Sequence, residues 1–148
     1  HLARRIKEEN ISLAALYDPV PKRDVPKLLA AADIGTVSLL PMDCLGSSSP
    51  NKFFDFLAAG LPVVVNYKGW QADLLQETGA GVYVDRLNPS EMACALVGLR
   101  DDPARAARMG AAARELAETR FDRDLLVMQL EKVLLGVVEN KSMLEVSG

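Results

Sequence analysis

"SSSPNKFFDFLAAGLPVVVN", residues 47–66, runs from three serines and a proline through an apolar stretch to a glycine, a proline and three valines. Serine caps helices well, and proline at the first helical position gives up an N–H that lacks an intrahelical partner there. Ser49 and Pro50 therefore predict a helix over 50–59. Gly60 and Pro62 end it. An unbroken apolar strand has to be covered on both faces, as in a parallel sheet between helices, so 63–66 predicts a buried parallel strand.

The flanking segments repeat this alternation. Residues 1–9 read as the end of a helix, 11–17 ("ISLAALY") as a strand, and "DPVP" as a turn. "RDVPKLLAAAD" has a helical composition, with Pro26 tolerable in a first turn, and 34–40 ("IGTVSLL") reads as a second apolar strand. After 63–66 come a helix over 70–77 and a strand over 81–85. Helices alone follow, over 89–100, 103–119 and 122–140. Strand and helix in alternation predict an α/β fold: a Rossmann-like parallel sheet with right-handed crossovers, flanking helices and a helical carboxy-terminal region. The whole chain, 1–148, reads as one domain, with 86–148 as its closing helices. The last helix carries Leu126, Leu130, Val133, Leu134, Leu135 and Val137 around most of its circumference. Such a helix needs partners on more than one side.

Composition narrows the function. With 148 residues, 49% hydrophobic and 25% charged, the chain is long and apolar enough for a real core. No uncharged apolar run reaches the roughly 18 residues that a membrane span requires. The formal charge of −3 gives no basic footprint for nucleic acid. Two cysteines, Cys44 and Cys94, fit neither a zinc site nor a disulfide framework, which points to a reducing cytoplasm. No Ser/His/Asp or Cys/His constellation is available, since His1 is the one histidine. A chain that opens on His1 within a helical pattern reads as a piece of a longer protein.

Lys52 carries the chemical question. A cation in a first turn opposes the helix dipole by roughly 0.3–1 kcal/mol and calls for a counter-anion. Asp55, three residues on, could supply it as a surface ion pair worth about 0.2–0.5 kcal/mol. A phosphate bound to the free amides of the first turn, reached through Gly46, Ser47 and Ser48, could also supply it. The loop 41–50 follows a strand, at the carboxyl edge where open α/β sheets bind ligands. Spacing alone leaves both readings open.

The stretch "SSPNKFFDFLAAGLPVVVNYKGWQADLL" resembles the donor-binding segment of GT-B retaining glycosyltransferases, the large group that includes bacterial capsule, O-antigen and lipopolysaccharide sugar transferases. The matching pattern is an acid, a short helix ending in Ala-x-Gly-x-Pro and a valine-rich strand: Asp55, Ala58, Gly60, Pro62, Val63 and Val64. The likeness spans roughly residues 10–85. In that group two acids eight positions apart flank the donor. Asp55 stands at the second, ribose-binding position, while Ser47 stands where the first acid is expected and departs from the pattern. A subgroup reads Ser-Pro-x-Lys instead, so the resemblance implies Ser49, Asn51 and Lys52, with Ser47 and Ser48, as diphosphate or sugar contacts. Gly69 and Asp73 match the group's glycine-rich turn and following acid, and residues 18–21 match where the nucleobase passes. Trp70 is expected to be a core anchor with a hydrogen-bonded indole.

The resemblance implies a nucleotide-sugar donor, expected to be a UDP-sugar. It implies transfer with retention, no cofactor and no obligatory metal, and a saccharide or lipid-linked acceptor in surface-polysaccharide synthesis. The group's amino-terminal domain and its catalytic groups lie outside this chain, so the piece alone is expected to be inactive and its catalytic residues unknown. The expected partners are the donor, the acceptor, the amino-terminal domain and a second copy meeting the final helix, with no nucleic acid. The expected location is cytoplasmic, with peripheral attachment to the inner face of the membrane in the full protein. Two alternatives remain: a noncatalytic α/β module binding a nucleotide or protein, and a sugar-nucleotide epimerase of the same plan.

Overall fold

The computed structural model describes residues 1–40 and 48–146. Among the described residues three parallel strands make the sheet, in the order β1 (Gly35–Val37), β2 (Val63–Val65), β3 (Gly81–Tyr83), with Gly35 opposite Val63 and Val63 opposite Gly81. The helices are α1 (Leu2–Glu8), α2 (Val25–Leu29), α3 (Asn51–Ala58), α4 (Trp70–Thr78), α5 (Pro89–Asp101), α6 (Pro103–Arg120) and α7 (Arg123–Val146). The alternation expected from the sequence is present from α2 onward, and the fold is the Rossmann-like α/β arrangement with a helical carboxy-terminal region.

β2 is buried at all three residues, and its alternation builds two cores. Val63 and Val65 join Phe53 and Leu57 of α3, Leu74 and Leu75 of α4, and Ala113 and Leu116 of α6. Val64 points the other way, to Leu99 of α5 and Met109 of α6. Successive strand side chains face opposite sides, so a three-valine run can serve both layers.

The turn from α3 into β2 follows directly from its residues. Gly60, at φ +70°, takes the left-handed position that closes a helix at low steric cost. Its N–H donates to the Leu57 carbonyl at 2.9 Å, and that of Leu61 reaches the Phe56 carbonyl at 3.1 Å. Two such bonds form the Schellman closure. Just beyond it, α6 crosses with its Gly110 against this turn. A Cβ at Gly110 would meet the Gly60 carbonyl oxygen at 2.3 Å.

Several expectations need correction. Residues 11–17 form no strand: Leu13 is 99% exposed, and Ile11, Leu16 and Tyr17 are exposed too. A strand is stabilised by its neighbours, and no described strand pairs with this segment, so its apolar character alone does not extend it into a sheet. β1 is shorter than the run 34–40. Pro50, with β-region dihedrals, is itself the N-cap of α3, and no side chain caps that end. The helix therefore starts one residue later than Ser49 and Pro50 suggested, and Lys52 is its second residue.

The crowding at Gly110 yields a test of the fold. Gly110→Ala should destabilise the chain by about 1–3 kcal/mol, because the methyl meets backbone rather than a yielding side chain. Gly136→Ala, where nothing stands within 4 Å of an added Cβ, should not destabilise it. Urea unfolding of the two variants would measure the contrast, and equal midpoints would refute the close approach.

Candidate functional site

The inward residues of α3 set which residues face outward. Phe53 and Leu57, four apart, are fully buried against the sheet. Each such burial contributes roughly 1.5–3 kcal/mol, so the rotation of α3 about its axis is firmly fixed. Asn51, Lys52, Asp55, Ala58 and Ala59 are consequently exposed. Asn51, Asp55 and Ala58, spaced at i, i+4 and i+7, line one face, with Lys52 beside them.

Of the residues expected at the site, the structure brings Asn51, Lys52 and Asp55 together on this face, with exposed Ser49 and half-buried Ser48 just before it. Ser47 lies outside the described residues, as does Cys44. No ion pair joins Lys52 to Asp55 among the described residues. Among the described residues Lys52 thus has no ion-pair partner, and Asp55 does not relieve its conflict with the helix dipole.

Asp55 also borders a cavity of about 370 Å³ between α2, α3 and α6. Val25, Pro26 and Leu29 give it an apolar wall, Ala58 and Ala59 a smooth floor, and Lys22 and Arg114 positive charge. Arg114 is held in place: one guanidinium nitrogen donates to the Ala58 carbonyl at 2.6 Å and another pairs with Glu118 at 2.6 Å. It thereby satisfies one of the open carbonyls at the end of α3.

Sequence reasoning missed the polar contacts that shape the carboxyl edge of the sheet. Asn66 accepts from the Leu39 N–H at 2.8 Å and donates to the Leu39 carbonyl at 3.2 Å, continuing the β1–β2 ladder with a side chain. The signal was an asparagine ending a valine run. Tyr67, 3% exposed, donates its hydroxyl to Gln71 Oε1. Gln71 is wholly buried, and its Nε2 has no partner among the described residues. Gly69, at φ +134°, is the N-cap of α4 and turns the chain between these two residues, at the position of the glycine-rich turn expected there. Trp70 departs from expectation. It packs on Phe53, Phe54 and Phe121, yet it is 39% exposed and no described residue binds its indole N–H.

The arrangement is that of an open parallel α/β domain, with the uncapped amino end of α3 at the carboxyl edge of its sheet. The Glycosyl transferase-like family matches residues 7–132, and the chain belongs to that family. It is also 33% identical over 84 residues to the GDP-mannose-dependent alpha-(1-6)-phosphatidylinositol monomannoside mannosyltransferase of two Mycobacterium tuberculosis strains, CDC 1551 / Oshkosh and H37Rv. The aligned region covers 57% of this chain and 22% of those proteins. No solved structure matches the chain.

Burial pushes the Tyr67 hydroxyl up to about 12 from an ordinary value of 10. The folded state therefore holds this proton more tightly than the unfolded chain does, so Tyr67's contribution is fully present below pH 10 and is lost as pH rises toward 12. At about 1.4 kcal/mol per pH unit, the loss across that window is on the order of 2–3 kcal/mol. Tyr67→Phe should remove this alkaline decline. At neutral pH it should cost about 1–3 kcal/mol, because Gln71 Oε1 is then buried without a donor. Urea unfolding at successive pH values would test both effects, and parallel slopes for the two proteins would refute the assignment.

Proposed function

We propose that this chain carries the donor site of a glycosyltransferase and binds a nucleoside-diphosphate sugar along the exposed face of α3. The observation that carries the reading is Lys52 in the first turn of α3, without an ion-pair partner among the described residues and one helical turn before Asp55 and its adjoining cavity. The diphosphate would lie on the uncapped amides and Lys52, with Ser48, Ser49 and Asn51 as further donors. Asp55 would accept from ribose hydroxyls. The base would enter the cavity between α2 and α3. From Asn51 to Ala58 the helix rises about 10 Å, comparable to the span of an extended nucleoside diphosphate.

Preorganised amides and a lysine also meet the charge that develops on a departing diphosphate, which makes this end of α3 the place where leaving-group stabilisation is supplied. The mycobacterial relatives are named for GDP-mannose, and we place guanosine beside uridine as the base to test. The acceptor, saccharide or lipid-linked, and the groups that attack the sugar belong in this reading to a further domain of the full protein, since the chain spans about a fifth of the relatives' length. That domain, or a second copy of the chain, would also cover α7. No helix among the described residues is long and apolar enough to cross a membrane, and we place the full protein in the cytoplasm, working on surface polysaccharide or lipid-linked sugars.

Calorimetric titration with GDP and with UDP tests the donor site. One of the two should bind, and Lys52→Ala and Asp55→Ala should each weaken it by about 10- to 100-fold, the range expected for hydrogen bonds to charged groups. Absence of binding by either nucleotide, or binding indifferent to both substitutions, would overturn the reading.

A further inference from the structure

Trp70 is the single tryptophan of the chain and the first residue of α4. Its ring centroid lies 6.0 Å from that of Phe53, 6.2 Å from Phe54 and 6.3 Å from Phe121, so one side of the indole is anchored in an aromatic cluster. The rest stays open. At 39% exposure, with no described partner for its N–H, this large aromatic group meets solvent where a fully packed anchor would not. Phe53 and Phe54 belong to the first turn of α3, so the indole stands near the amino end of that helix. The cluster sits at the amino ends of α3 and α4, at the carboxyl edge of the sheet.

We propose that Trp70 is a stacking platform for a pyranose ring. One face of a hexopyranose presents axial C–H groups, apolar and slightly positive, and the face of an indole is apolar and negative. The pair therefore attracts without removing the sugar hydroxyls from water, and the free N–H adds a donor at the rim. Anchoring on three phenylalanines orients the indole before the sugar arrives, which lowers the ordering cost of stacking. The inference rests on the donor site proposed above, because that site brings a sugar to this edge. The same chemistry serves the transferred sugar of the donor or the terminal sugar of an acceptor. A nucleobase is a different occupant, and the test separates it.

Emission from the lone tryptophan reports on its surface directly. The chain would be titrated with GDP, UDP, GDP-mannose, UDP-glucose and methyl α-mannoside, with calorimetry in parallel. A change in emission with a nucleotide sugar but not with the bare nucleotide supports the platform and assigns it to the donor sugar. A change with methyl α-mannoside alone supports it and assigns it to the acceptor. Nucleotide binding without a response to any sugar overturns the platform and leaves the donor site standing. An equal response to GDP and GDP-mannose, or to UDP and UDP-glucose, also overturns it, since the base then occupies the indole. If no nucleotide binds, the donor site falls, and the platform survives only on a response to methyl α-mannoside.

Substitution gives an independent readout. The sugar-bearing ligand should bind the parent chain about three- to tenfold better through this contact, the scale of an aromatic stacking interaction. Where the donor sugar is the occupant, Trp70→Ala should bring the affinity ratio of nucleotide sugar to nucleotide close to 1, and Trp70→Phe should largely keep it. For an acceptor sugar, the affinity for methyl α-mannoside should follow the same order. A purely structural role would lower the melting temperature of the alanine variant and leave these readouts untouched, and that result would overturn the proposal.

Discussion

The complete burial of β2 is the constraint from which the rest of the fold follows. Val63 and Val65 need one apolar layer and Val64 another, on opposite sides of the same short strand. Helices are the economical cover for both faces of a parallel sheet, because each crossover already carries the chain over a face. α3 and α4 flank β2 in sequence and cover one side, while α5 covers the other. α6 serves both, with Ala113 and Leu116 toward the first core and Met109 toward the second. The two faces of this one strand thus help to place different sets of helices.

Placing α3 also places the chemistry. The helix has only eight residues, and Phe53 and Leu57 consume its inward stripe, so every other residue is turned toward solvent or toward the edges of the core. Its carboxyl end is pinned by the Gly60 turn, by the crossing of α6 at Gly110 and by Arg114 on the Ala58 carbonyl. Its amino end has no side-chain cap. The asymmetry is chemically informative, since a helix firmly closed at the carboxyl end and open at the amino end leaves its free N–H groups and partial positive charge available. Lys52 adds a full charge to that end. Asn66 and Tyr67 stiffen the neighbouring strand exit by converting side chains into ladder and relay contacts, and such polar pairs at a sheet edge hold geometry that apolar packing alone would leave free to slide.

Much of this was legible in the residue order. Alternating strands and helices, the glycine–proline stop at 60–62 and the all-apolar strand at 63–65 each follow from a local rule, and each is observed. The i+3 spacing of Lys52 and Asp55 was legible as well, but that α3 turns them outward follows from the burial of Phe53 and Leu57, which the packing supplies. What could not be read depends on distant partners. Residues 11–17 have strand composition, but a strand exists only beside another. The cap at Pro50 turned on a one-residue choice of dihedrals that composition does not decide. Arg114 meets Ala58 across 56 residues of sequence, and nothing local to either announces it. Trp70 looked like a core residue because tryptophan usually is one. Its exposure is set by how much ring three phenylalanines can cover.

α7 marks the opposite extreme from α3. An amphipathic helix buries one stripe and offers its other face to water, and α3 does this. α7 exposes Leu126, Val127, Met128, Leu130, Leu134 and Leu135 at 43% to 60%, distributed over a broad arc rather than a narrow seam. A single neighbouring helix would cover a stripe of roughly 100°, which is less than this arc, so one flat partner surface would still leave apolar side chains in water. The apolar load also cannot be explained by the sheet, whose two faces are already occupied by α3, α4, α5 and α6. The physical demand of α7 is therefore for a concave or two-sided surface, a requirement that the packing of the strands and the chemistry of α3 neither create nor relieve.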